Sequence, residues 1–181
     1  MVNNNSNELV PFVSILKKIK SSYGKFSILG NHDYGDYTNW PSDQEKQADH
    51  NQLIRLQEEA GFRVLRNENV NIERDGAKIE LIGVENYGKP PFPKYGNLKD
   101  AMSGTDSSGF KLLMSHDPSH WDLEVRGQPD IALTLSGHTH GMQMGIEIPG
   151  FKWSPVQYKY PRWAGLYEEQ NQFLYVNRGL G

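Results

Sequence analysis

Apolar positions along the chain repeat in two ways, every third or fourth residue and every second. Leu9, Phe12, Val13, Leu16 and Ile19 follow the first, which predicts a helix from residue 8 to about 20. Ser6 or Asn7 is placed to cap it, Pro11 suits its first turn, and Lys17, Lys18 and Lys20 suit its last. Gly24 breaks the pattern, and residues 25–29 read as a short buried strand. Ser42 to Glu45 has capping-box spacing and opens a polar surface helix that runs to Ala60 and stops at Gly61. A strand is expected over residues 62–66. Val70, Ile72, Ile79 and Leu81 alternate about Asp75-Gly76, the pattern of a hairpin. Residues 110–114 and 131–135 are short apolar runs that read as buried strands. Short helices are expected near 97–102 and through Trp121 and Leu123. A last hairpin is expected around residues 168–172. Residues 88–96, 104–109 and the aromatic stretch 151–163 read as loops. Trp40, Tyr87, Trp153, Tyr158 and Trp163 are expected to pack beneath them.

This mixture predicts an α/β layered fold in one domain spanning residues 1–181. A net charge of −3 argues against a protein that coats nucleic acid or an anionic membrane surface. The chain has no cysteine, which excludes thiolate metal sites and disulfides. No apolar run is long enough to span a bilayer, and no signal-peptide pattern opens the chain.

Three predicted strands end in polar clusters that carry chemistry. They deliver Asn31-His32-Asp33, His116-Asp117 and His138-Thr139-His140. In open α/β sheets, sites form beyond the carboxyl ends of strands, which predicts that the three clusters meet. In extended backbone, His138 and His140 would face one side and Thr139 the other. Two neutral imidazoles at that spacing can grip one ion or serve two neighbouring ones. Oxygen and imidazole donors without thiolate suit manganese, iron, zinc, cobalt or nickel and do not choose among them.

In order, Gly30-Asn31-His32-Asp33, then His116, then Gly137-His138-Thr139-His140 resembles the latter part of the motif set of calcineurin-like metallophosphoesterases. Details around Gly141 and residues 175–179 resemble the bacterial membrane-associated and lipid-pyrophosphatase-like branch. The resemblance implies an α/β/β/α sandwich of two mixed sheets flanked by helices. It implies a hydrolase that cleaves a phosphodiester, phosphomonoester or pyrophosphate by in-line attack of a metal-activated hydroxide. It further implies that Asn31, His116 and His138 ligate one divalent ion and His140 the other. His32 would protonate the leaving oxygen, and Asp33 would orient its ring. Phosphorylated small molecules, lipid-linked ones included, are the implied substrates, with no nucleic acid and no specific protein partner.

The sequence departs from the family pattern in its first blocks, at its closing segment and at Met142, where related sequences often carry a second glycine. The D-x-H and G-D blocks, which supply the bridging aspartate and two further ligands, are absent. The expectation is a domain lacking its first strands and its closing segment, with any membrane attachment residing in the missing amino-terminal part. Three ligands remain for one ion and one for the other, so at most one metal is expected to bind well and turnover to be weak. A non-catalytic metal-binding scaffold of the same fold is the alternative. An amidohydrolase barrel, which also uses H-x-H, needs a longer chain with that pair on its first strand. His50 and His120 match no motif and are expected to be structural. Met142, which follows Gly141, has no reading.

Overall fold

The computed structural model describes residues 1–90, 93–128 and 130–179. Pro91 and Phe92 of the expected 88–96 loop, and Leu180-Gly181 of the expected carboxyl-terminal continuation, lie outside the described residues.

A 3₁₀ turn, Ser6–Glu8, precedes helix α1 (Val10–Lys17). Asn5 caps the 3₁₀ turn, and Leu9 precedes α1 with no side-chain cap; neither Ser6 nor Asn7 caps the helix, the Ser6 hydroxyl donating instead to Asp49 at 2.6 Å. Strand β1 (Lys25–Ser27) pairs in parallel with β2 (Phe62–Val64). Between them runs α2 (Asp43–Glu59), capped by Ser42, whose side chain accepts from the Glu45 N–H. Leu9 and Val13 of the amino-terminal segment pack against Leu53 and Ala60.

Strands β3 (Glu68–Arg74) and β4 (Ala77–Gly83) form the expected hairpin. Asp75 (φ 50°) and Gly76 (φ 81°) both lie in the left-handed region, as a two-residue I′ turn requires. Helix α3 (Leu98–Ala101), β5 (Phe110–Met114), α4 (Ser119–Leu123) and β6 (Ile131–Ser136) follow. Strands β7 (Ile146–Ile148) and β8 (Phe151–Trp153) form a small separate hairpin where a loop was expected. Strands β9 (Gly165–Glu169) and β10 (Gln172–Val176) close the described chain.

The fold is α/β. Its main sheet has six strands in the order β3-β4-β5-β6-β10-β9, parallel through the four central strands and antiparallel at both edges. Ile82, Leu113, Trp121, Ile131 and Leu174 fill its principal core. The β1–β2 layer approaches closely at Gly83, where an added Cβ would stand 2.3 Å from that of Leu65.

Backbone pairing continues past the strand ends and sets the loops that follow. The Ser115 N–H donates to Leu135, that of Gly137 to the His116 carbonyl, and that of Asn177 to Ser136. The loops carrying His116 and His138 are thereby stitched together.

One strand departs from its apolar reading. On β5, Phe110 is half exposed, while Lys111 has no accessible surface and sits 3.5 Å from Glu80, itself 1% accessible. The Lys111 ammonium donates to the Asp106 carbonyl. Burial acts to raise the Glu80 carboxyl, but the Asp106 N–H, Lys78 and Lys111 together hold it below the ordinary range. Lys111→Met is expected to cost about 2–3 kcal/mol in urea unfolding at pH 7, because Glu80 keeps its charge with one cation fewer. That loss shrinks as the pH falls and Glu80 takes up a proton. Glu80→Gln in the same chain should recover most of it.

Candidate metal centre

Asn31 stands at the start of a 3₁₀ turn, Asn31–Tyr34, at the carboxyl end of the β1 layer. Its amide NH₂ donates to the Tyr37 hydroxyl at 2.8 Å, which turns the amide oxygen inward. There Asn31 Oδ1 meets His116 Nε2 at 2.9 Å and His138 Nδ1 at 3.1 Å, and the two ring nitrogens stand 3.2 Å apart. Three loops distant in sequence thus bring three donor atoms together. The His116 ring lies flat over Gly30, where a Cβ would come within 2.7 Å of it.

Gly30→Ala is therefore expected to push the His116 ring off the Asn31 oxygen. A second-sphere disturbance of this kind costs about 10–100-fold in metal affinity. Manganese titration calorimetry of the variant checks it.

Both rings are neutral at pH 7. Burial chiefly, with His138 and other nearby positive groups, pushes His116 well below its ordinary value. Burial also lowers His138, against the pull of Asp117. Neutral imidazole is the form a metal ligand requires. The far nitrogen of His138, Nε2, lies 2.7 Å from the Tyr160 hydroxyl and 3.8 Å from Asp117. Burial, then Asp117 and Tyr37, push Tyr160 up to about 12, so its hydroxyl stays protonated. An Nε2–H donated to Tyr160 leaves the Nδ1 lone pair facing Asn31 and His116. Tyr160 was missed in the sequence, where it was one aromatic in a loop.

The geometry of the H-x-H pair is not the extended one expected. Strand β6 stops at Ser136, and both His138 (φ 67°) and His140 (φ 49°) take left-handed backbone. Such backbone is unfavourable for residues with a Cβ and recurs at functional sites. The two imidazoles consequently part company. His138 is half buried in the trio, whereas His140 is exposed and makes no hydrogen bond to it among the described residues. His140 instead borders a cleft of about 510 Å³ with Met144, Ile146, Trp163 and Arg178. Thr139 does face away, its hydroxyl donating to the Trp163 carbonyl at 2.7 Å.

His32 and Asp33 do not pair. The His32 Nδ1 lies 2.9 Å from the Asn3 carbonyl, which can only accept, so Nδ1 carries the proton and Nε2 is left open. The Asp33 carboxylate reaches back to the Gly30 N–H at 2.8 Å and to the terminal amino group of Met1 at 2.9 Å. As the third residue of a tight turn, Asp33 turns one oxygen to the turn's own N–H and the other to Met1, away from the His32 ring. The orienting role expected of it is not the contact observed.

His50 and His120 are structural, as expected. His50 donates to the Asp33 carbonyl, and His120 is sealed between Ser115 and Glu124 and stacked on Tyr87. Burial takes His120 down to about 4.

Among the described residues, no group of three or more His, Cys, Asp or Glu is arranged to hold a metal ion. The trio falls outside that description because one of its donors is an amide.

The chain is similar to several curated proteins along most of its length. The chain is 31% identical over 172 residues to an uncharacterised metallophosphoesterase, YkuE, of Bacillus subtilis, covering 93% of this chain and 53% of the relative. It is 30% identical to the phosphodiesterase YaeI of Escherichia coli, covering 94% and 56%. A bovine transmembrane protein with a metallophosphoesterase domain is 28% identical, covering 92% and 36%. The chain thus spans about half the length of the bacterial relatives. No family model and no solved structure matches. With relatives named metallophosphoesterase or phosphodiesterase matching nearly its whole length, this chain belongs to the calcineurin-like metallophosphoesterases.

Proposed function

We propose that this chain supplies part of the centre of a metal-dependent phosphoester hydrolase, with one divalent ion held by Asn31 Oδ1, His116 Nε2 and His138 Nδ1. One observation carries the reading, the mutual separations of 2.9, 3.1 and 3.2 Å among those atoms. Around an ion with bonds of about 2.1 Å, adjacent octahedral donors stand about 3.0 Å apart and tetrahedral ones about 3.4 Å. The trio's separations lie in the range that donors sharing one ion would have, and its oxygen and imidazole donors suit manganese, iron, zinc, cobalt or nickel. A bound cation would neutralise phosphate charge and lower the pKa of a coordinated water.

The chain's own groups do the rest. His138 is held by Tyr160, and Asn31 by Tyr37, so two of the donors are fixed before a ligand arrives. His32, with Nδ1–H held by the Asn3 carbonyl, is assigned to take up a second proton on Nε2 and, as the imidazolium, give it to the leaving oxygen. His140 is assigned to a second ion, with no other donor in hydrogen-bond contact with it among the described residues. A phosphorylated small molecule is the proposed substrate class.

The test measures binding and turnover separately. Equilibrium dialysis against manganese is expected to load one ion per chain, with slow hydrolysis of bis-p-nitrophenyl phosphate. Loading without hydrolysis, even when ligand-bearing segments of a relative are supplied, would favour a non-catalytic scaffold. No manganese uptake, or uptake indifferent to His116→Ala, would overturn the assignment.

A further inference from the structure

Tyr37 touches two members of the site at once. Its hydroxyl accepts from the Asn31 amide NH₂ at 2.8 Å. Its ring lies against the His32 imidazole, with centroids 4.6 Å apart and planes inclined at 37°. His32 is thereby held on one edge by the Asn3 carbonyl and on one face by Tyr37. The loop that carries Tyr37 is itself pinned. Gly35 turns it at φ 68°, and the Trp40 indole N–H donates to the Gly35 carbonyl at 2.8 Å. A Cβ on Gly35 would stand 2.8 Å from that same nitrogen, so both the backbone angle and the close approach call for glycine. Asp36 accepts from Lys46 and, at 2.9 Å, from the Tyr95 hydroxyl. The Thr38 hydroxyl donates to the Asn4 carbonyl at 3.0 Å. Residues 35, 36, 38 and 40 thus tie down a loop whose central side chain, Tyr37, is 43% accessible and adds little to the core.

We propose that Tyr37 is a positioning residue shared by the metal centre and the proton donor, its hydroxyl setting the Asn31 amide and its ring setting the His32 imidazole. The inference rests on the roles assigned above to Asn31 and His32. Its first half follows from the chemistry of an amide. The two ends are unlike, and only the oxygen can serve as a ligand. His116 Nε2 and His138 Nδ1, at 2.9 and 3.1 Å from Oδ1, could equally accept from the NH₂ if the amide were turned over. Engaging the NH₂ at Tyr37, on the outer side, keeps the oxygen toward the imidazoles. The second half follows from rotation of the His32 ring. One hydrogen bond to the Asn3 carbonyl lets the ring pivot about that bond, and an aromatic ring against its face stops the pivot. Because one side chain does both, the ligand and the donor keep a fixed relation to each other.

Manganese calorimetry and histidine NMR on the full chain test the two halves separately. Tyr37→Phe removes the hydroxyl and keeps the ring. It should lower manganese affinity by about 10–100-fold, the range for a lost partner of a ligand, and leave the His32 ring resonances in place. Tyr37→Leu removes both. The same loss should then come with a shift of the His32 resonances, present in the metal-free protein too, as the aromatic ring current disappears. Asn31→Asp separates positioning from packing. A carboxylate presents oxygen whichever way it turns, so in that background Tyr37→Phe should cost no more than about twofold, the scatter of independent sites. Should a Tyr37 variant fail to fold, Trp40→Phe loosens the loop without touching either partner, and it should lose affinity and shift the His32 resonances together. Affinity unchanged in Tyr37→Phe, an equal loss in the Asn31→Asp background, or His32 resonances unmoved in Tyr37→Leu would each remove Tyr37 as a shared positioning residue. Failure of the underlying assignment looks different. Manganese uptake would then be absent from the parent chain or survive His116→Ala, and the inference would fall with it.

Discussion

Replacing His138 by glycine should weaken manganese binding by more than about 100-fold while leaving the metal-free protein folded. A lost ligand costs more than the 10–100-fold typical of a lost second-sphere partner. Glycine is the informative replacement because His138 sits at φ 67°, where a Cβ is unfavourable. Relief of that strain offsets the lost contact with Tyr160, so the melting temperature without metal should barely move. Alanine would confuse the two effects. His140→Ala is the matched control, since His140 touches none of the three donors and the single-ion affinity should survive. A melting temperature that collapses in His138→Gly would make His138 a packing residue. Unchanged affinity would remove it from the centre altogether.

That Asn31, His116 and His138 come together was legible in the sequence for a physical reason. Each directly follows a short apolar run; the ends of β5 and β6 lie side by side in one parallel sheet, and Asn31 comes to them from the end of the separate β1–β2 sheet. What was not legible is how each loop leaves its strand. Extended alternation predicted that His138 and His140 point together, yet Gly137 permits a turn and both histidines become left-handed, which separates them. Asp33 reads as a partner for His32 by adjacency, but a carboxylate three residues past a cap is nearest to the cap's own N–H. Tyr160 gave no signal, because its partner lies 22 residues away and Tyr87, Tyr158 and the tryptophans compete equally on composition. Hairpin β7–β8 hid itself in another way. Strand prediction looks for an apolar face that a core will cover, and here that face is outside. Lys111 was invisible for the opposite reason. A lysine inside an apolar run reads as the strand's solvent side until Asp106, Gly109 and Glu80 are seen around it.

Trp121→Ala is expected to destabilise the protein by about 3–5 kcal/mol, the range for truncating a large buried aromatic. Trp121 is the largest fully buried side chain and sits in the principal core with Leu113, Val125 and Ile131. The Arg162 guanidinium lies 4.4 Å from its ring and is itself fixed by Asp122 and Glu169. Truncation would leave that cation over a void. Against a domain's usual 5–15 kcal/mol, the loss is large enough to read directly as a lower urea midpoint. Trp121→Phe should cost much less, because the indole Nε1 is buried with no hydrogen-bond partner among the described residues and phenylalanine surrenders none. The same pair of variants reports on the centre. Helix α4 begins at Ser119, three residues past His116, and Trp121 is what anchors it to the sheet. Loosening that anchor frees the His116 loop, so Trp121→Ala should lose manganese affinity along with stability and Trp121→Phe should keep both. If affinity were retained in an alanine variant that still folds, the stitch between the Gly137 N–H and the His116 carbonyl would be enough by itself to place the ligand.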